Sequence, residues 1–163
     1  MEPWVAEMFH FKVEKMEIKR PGGKPYFPVQ NSGIGVLHMT EGSTVSGAFR
    51  TLAAKNVAPH FIVGEERIIQ CRPIGMHGSA LRGNSPNPNQ QAQTQIEMVG
   101  FSQKTLWLPE ASRLKPTVAV MAWCFQQLGI PLQFPNHWPD DLSDLTLPFA
   151  ANNLRHRAAV AGL

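Results

Sequence analysis

Residues 35–43 read GVLHMTEGS. An apolar run reaches an imidazole at His38 and gives way at once to a hydroxyl, a carboxylate and a glycine. Residues 33–40 are therefore expected to form a short buried strand that ends in a sharp turn. Residues 42–56 then read as a helix, with Ser43 or Thr44 as its cap and Phe49, Leu52 and Ala53 as its apolar stripe. A strand that feeds directly into a helix points to an α/β (α+β) protein: a central mixed sheet with helices packed on it. His38 has two readings. It is a core histidine bonded to its neighbours, or it is a metal ligand held at the rim of a sheet. Glu41 read alone does no more than favour the positive end of the next helix.

Outward from this stretch the same pattern continues. Residues 59–73 hold two β-rich runs, HFIV and RIIQC, flanking GEE, and read as a hairpin. Residues 78–93 are rich in Asn, Gln and Pro and read as a long surface loop, a natural wall for a cleft. Residues 94–100, TQIEMVG, read as a strand with Ile96, Met98 and Gly100 on one face and Gln95, Glu97 and Val99 on the other. Glu97 faces solvent or a polar cleft, because a buried carboxylate needs partners. His60 is open to a core or a cleft role, and His77 falls in a loop. Val118, Met121, Ala122, Phe125 and Leu128 recur at helical spacing, with Gly129 as a C-cap and Pro131 as a stop. Pro116 is expected to fall outside that helix, leaving residues 109–115 as a separate turn. Residues 1–32 are mixed in pattern, with a Pro/Gly-rich loop at 19–28.

Composition narrows the class. The chain has 163 residues, 43% apolar and 17% charged, which suits one folded domain over residues 1–163. A net charge of +3 suits an anionic surface such as a bacterial cell wall and is too weak to argue for nucleic acid. Cys71 and Cys124 lie in apolar stretches and are expected to be buried free thiols. The N-terminal residues lack the pattern of a signal peptide. The most apolar window, residues 117–132, is too short for a membrane span.

Taken in order, GVLHMTEGS, APHFIVGEERIIQCRP, SALRG, TQIEMVGFS and AWCFQQLGIP resemble the zinc-dependent N-acetylmuramoyl-L-alanine amidases. These are the type 2 amidases, which share a fold with the peptidoglycan recognition proteins, and the phage endolysin branch is most similar. The resemblance runs from about residue 33 to residue 138. It implies a peptidoglycan hydrolase that cleaves the amide between N-acetylmuramic acid and L-alanine, with His38 as the first zinc ligand. It implies Glu97 as the general base or water-orienting group and His60 as a residue of the cleft floor. The place of a second-sphere tyrosine in some members is taken by Pro59. The implied setting is cytoplasmic synthesis with action at the cell wall, by a monomer with no nucleic-acid partner.

The family's second and third zinc ligands come late, in a Gly-His segment followed by an Asp or Cys ahead of a Pro-Gly turn. Neither is found before Leu163. The chain is then a piece of a longer amidase, a domain that binds peptidoglycan without cleaving it, or one that recruits His137 or His156. Arg155 and Arg157 flank His156 and disfavour a bound cation there.

Overall fold

The computed structural model describes residues 4–29, 33–81, 88–101 and 111–130. Six strands form one sheet: β1 (Glu7–Met8), β2 (Phe11–Lys15), β3 (Gly35–Met39), β4 (Phe61–Val63), β5 (Ile68–Gln70) and β6 (Thr94–Met98). Their order is β1-β2-β5-β4-β6-β3. The β1–β2 and β4–β5 pairs are antiparallel, whereas β2 with β5, β4 with β6, and β3 with β6 run parallel. The expected mixed sheet is thus present, and so is the expected hairpin, closed by the Gly64 N–H on the Arg67 carbonyl.

Helix α1 (Val45–Ala54) covers one face and α2 (Ala111–Leu128) the other. Strand alternation decides which residues go where. Phe61, Val63, Ile68 and Ile96 pack with Val120 and Cys124 of α2. Ile62, Ile69 and Cys71 pack with Val45 and Ala48 of α1. Covered on both faces, β4, β5 and β6 are buried at every position. Each fully buried Phe or Ile contributes roughly 1.5–3 kcal/mol. The two cysteines are free and buried, in clusters on opposite faces of the sheet. Thr44 is the α1 cap, its hydroxyl accepting from the Gly47 N–H. Among the described residues no helix is long and apolar enough to cross a membrane.

Two expectations need correction. First, α2 runs unbroken through Pro116. That residue lies in the second helical turn, where its missing N–H costs a single hydrogen bond, and the burial of Val120 and Cys124 further along offsets this. The buried stripe also differs: Val118 is 58% exposed and Ala122 is exposed, while Thr117, Val120 and Cys124 face the sheet. At the far end Gly129 adopts φ 64 and the Ile130 N–H reaches the Phe125 carbonyl, so the expected glycine cap is present.

Second, the described parts of 78–93 are not a surface loop. Leu81, Asn89, Ala92 and Gln93 are buried. Asn89 receives the Leu81 N–H and donates to the Leu81 carbonyl, while Gln95 Oε1 accepts the Ala80 N–H. The amides are there to satisfy a buried backbone rather than to meet water. The mixed stretch 1–32 holds strands β1 and β2 among its described residues, and Met8 and Val13 of these are buried in the core.

Candidate functional site

The site lies where the parallel strands β3, β4 and β6 end. In open α/β sheets this is the end at which ligands bind. Strands β3 and β6 pair with His38 opposite Glu97. Matched register in a parallel pair puts both side chains on one face, which here is the α1 face, because Glu97 shares a cavity wall with that helix. His38 Nδ1 lies 3.4 Å from each Glu97 carboxylate oxygen. The imidazole is one-third exposed and the carboxylate only 7%.

Backbone bonds beyond the strands hold the pair in place. The Thr40 N–H donates to the Met98 carbonyl and the Gly42 N–H to the Gly100 carbonyl. The Thr40 hydroxyl accepts from the Gly100 N–H. The turn after His38 is therefore clipped to the chain after Glu97. Glu41 sits in this turn at φ 52, an unusual conformation for a non-glycine residue that the two flanking bonds impose. A cavity of about 330 Å³ opens beside Glu97, lined among others by Thr40, Glu41, Ser43, Thr44 and Thr51.

The electrostatics follow from this packing. The hydrogen bond with Glu97 raises the His38 pKa above the usual imidazole value; burial opposes the shift, and the charges of Glu97 and Glu41 add to it. Glu97 is 5% exposed overall, and among the described residues its nitrogen neighbour is His38, at a distance well beyond the 2.7–2.9 Å of a strong charge-assisted bond. Much of its accepting capacity remains for a water or a substrate N–H.

His60 does not join this pair. It has no exposed surface, its Nδ1 accepts the Gln95 N–H, and its Nε2 therefore carries a proton and donates to the Met76 carbonyl at 2.8 Å. Burial pushes its pKa down to about 4, so it is neutral. It stands two residues before Ile62, the β4 partner of Glu97, about 7 Å back along the strand. Of its two sequence readings, core and cleft floor, this is the core placement. His137 and His156 lie outside the described residues, as do residues 82–87 of the expected cleft wall. Sequence reasoning missed Glu41 as a cavity residue. Its only signal was the non-glycine residue at the centre of the Thr-Glu-Gly turn.

Zinc takes donors of the kinds that His38 and Glu97 provide. Among the described residues, however, no group of three His, Cys, Asp or Glu comes together. A catalytic zinc is typically held by three protein ligands. The described residues therefore do not by themselves make up such a site.

No protein-family model matches the chain, and no curated protein matches it in sequence. Solved structures do match its fold. The Staphylococcus aureus hydrolase AmiA, in complex with its ligand, superposes with a TM-score of 0.52 at 18% identity over 72% of this chain. This chain spans 57% of that one, under two thirds of its length. An endolysin from Bacillus subtilis gives 0.55 at 16% identity, covering 75% of this chain and 80% of that one. The catalytic domain of XlyA gives 0.55 at 16% identity, covering 74% and 80%. The mixed six-stranded sheet with its two helices is thus the fold of endolysin catalytic domains.

Proposed function

We propose that the chain is a peptidoglycan hydrolase that cleaves the amide joining the lactyl group of N-acetylmuramic acid to L-alanine of the stem peptide. One observation carries this reading: an imidazole and a buried carboxylate meet 3.4 Å apart at the ends of adjacent parallel strands. The endolysin-type fold supports it, and so does the motif order that resembles the type 2 amidases.

The roles follow from the placement of the two groups. Amide hydrolysis needs a base for the attacking water and an acid for the departing nitrogen. Glu97 takes a proton from water as the oxygen bonds to the carbonyl carbon. It returns that proton to the nitrogen as the carbon–nitrogen bond breaks, leaving a lactyl carboxylate and a free alanine amine. Its burial and its spare lone pairs suit both transfers. His38, one-third exposed, fixes the carboxylate's orientation. The resemblance makes His38 a zinc ligand as well, and that role is part of the proposal.

The shortfall of metal donors among the described residues favours a second reading, in which the domain grips peptidoglycan without cutting it. The two separate experimentally. Purified protein is assayed for zinc content and for release of stem peptide from cell walls. Zinc near one equivalent with chelator-sensitive release supports the hydrolase. Sedimentation with insoluble peptidoglycan in the absence of zinc and release supports the binding module.

A further inference from the structure

We propose that the basic surface around Lys19, Arg20 and Lys24 docks the protein onto a phosphate-linked polymer of the bacterial wall, at the end of the sheet opposite the His38–Glu97 pair. This contact is separate from amide cleavage. It rests on the peptidoglycan reading only for the setting in which the polymer is met.

Residues 17–27 follow β2 and run beside the chain that follows β5, with the Ile18 N–H on the Cys71 carbonyl. Strand β5 is antiparallel to β4, and β4 and β3 are both parallel to β6. The end of β5 is therefore the end at which β3, β4 and β6 begin, whereas His38 and Glu97 lie where β3 and β6 finish. Pro21–Gly23 forms a short 3-10 turn, with the Gly23 N–H on the Arg20 carbonyl and φ of 69 at Gly22 and 66 at Gly23. A Cβ at either glycine would meet nothing within 4 Å, so the turn stands clear of the other described residues. Lys19 and Lys24, on its two sides, are exposed.

Positive charge is concentrated here. Lys19, Arg20, Lys24 and Arg72 are four cations against one carboxylate, Glu17, which leaves three positive charges, as many as the net +3 of the whole chain. Glu17 is itself engaged, accepting the Tyr26 hydroxyl at 2.6 Å. Arg72 is 2% exposed and donates to two carbonyls; among the described residues it pairs with no carboxylate, and its Nε has no hydrogen-bond partner. A buried cation without a counter-ion is costly, and an anion at the surface above it offsets part of that cost. The field is felt at His77: burial lowers its pKa, and the charges of Arg72 and Arg20 lower it further.

The same residues limit the kind of anion. The Arg20 guanidinium is held 4.5 Å over the Phe27 ring, and the His77 ring packs on Phe27 with its centroid 4.5 Å away. Phe27 is thus engaged by its own neighbours. The surface offers charge and N–H donors rather than an open aromatic platform for bases, which favours a chain of repeating phosphodiesters over a single-stranded nucleic acid.

The test uses the full chain and sedimentation with isolated walls that carry poly(glycerol phosphate), and with the same walls stripped of that polymer by hydrogen fluoride. Intact walls should bind more tightly than stripped ones. Binding should weaken roughly tenfold when salt is raised threefold, as expected for about three engaged phosphates. Lys19→Gln/Lys24→Gln should lose about fivefold per lysine on intact walls and nothing on stripped walls. Lys12→Gln/Lys55→Gln removes the same charge from exposed lysines elsewhere and should lose little. Equal binding of the wild type to the two kinds of wall overturns the proposal. So does an equal loss in the two double variants, which would mean that net charge alone is at work. Tighter binding of single-stranded DNA than of soluble poly(glycerol phosphate), at equal phosphate concentration, overturns it too. Release of stem peptide is measured on the stripped walls. Release there without polymer-dependent binding keeps the hydrolase reading and overturns this inference, and polymer-dependent binding without release does the reverse.

Discussion

His38 and Glu97 are 59 residues apart in sequence and 3.4 Å apart in space, because β3 and β6 run parallel with these two residues in matched register. A slip of one residue in either strand would put them on opposite faces of the sheet. Their meeting therefore depends on the whole ladder from Gly35–Thr94 to Met39–Met98, and the Thr40 and Gly42 bonds to the chain after β6 lock it.

The pair is the first thing to break. Glu97→Gln keeps the shape of the side chain and removes the base, so stem-peptide release should fall by about 10²–10⁴-fold. His38→Ala should abolish it. Both variants should keep the wild-type circular dichroism spectrum, since His38 is at the rim and Gln replaces Glu97 with little change in volume. A Glu97→Gln protein that lyses walls at the normal rate would show that the base is another group.

Gly35 opens β3 directly beneath Phe125 of α2, and a Cβ there would run into that ring and into the Thr94 methyl. The helix can lie this close to the sheet only because position 35 has no side chain. Gly35→Ala should cost about 1–3 kcal/mol, typical of overpacking. Phe125→Leu should recover part of that loss in the double variant, through a positive coupling in urea denaturation. Additive losses would mean that the ring is not what Gly35 accommodates.

Arg72 is 2% exposed, and its guanidinium spans two carbonyls, donating to His77 at 2.7 Å and to Ile18 at 3.2 Å. It thus ties the segment after β2 to the turn beyond β5, with the Tyr26 ring 5.1 Å away. Replacement by Met would leave both carbonyls without this donor, at about 1–3 kcal/mol for each buried group. Arg72→Lys should restore little, because a single ammonium on a flexible stem does not reproduce the planar fork. Thermal melts of the two variants check this, and a Lys variant as stable as the wild type would contradict it.

How much of this could be read from sequence depends on where each residue's partners lie. Strand β3 and helix α1 were legible because their signals are local: an apolar run, a Thr cap, a stripe at helical spacing. The hairpin was legible for the same reason, and the order of the motifs brought His38 and Glu97 to one site. The β1–β2 turn was not, since Phe9 takes φ 54 where a glycine or asparagine would have marked it. Asn89 and Gln93 looked solvated because polarity is a property of the side chain, whereas their burial is set by the backbone groups they serve. Pro116 looked like a boundary because its cost is local, and the core contacts that outweigh it are not. His60 was ambiguous for the same reason: its two partners, Gln95 and Met76, are 35 and 16 residues away.

His60 also gives the fold an acid sensitivity whose sign can be worked out. Unfolded, its imidazole takes up a proton near the ordinary pH of 6.5; folded, it resists until about 4. Between these values the unfolded chain binds more protons, so stability falls as pH falls through the window and is fully present only above it. The total is on the order of 3 kcal/mol, because each tenfold loss of proton affinity on folding is worth about 1.4 kcal/mol. His77, also lowered by burial, acts in the same direction, and His38, raised by Glu97, opposes it. In His60→Gln the amide can still accept from Gln95 and donate to Met76, but it does not titrate. Urea midpoints measured from pH 7 to pH 4 should therefore drop less steeply in the variant, even if its stability at pH 7 is lower. An unchanged slope would show that the acid sensitivity lies elsewhere than in this buried neutral ring.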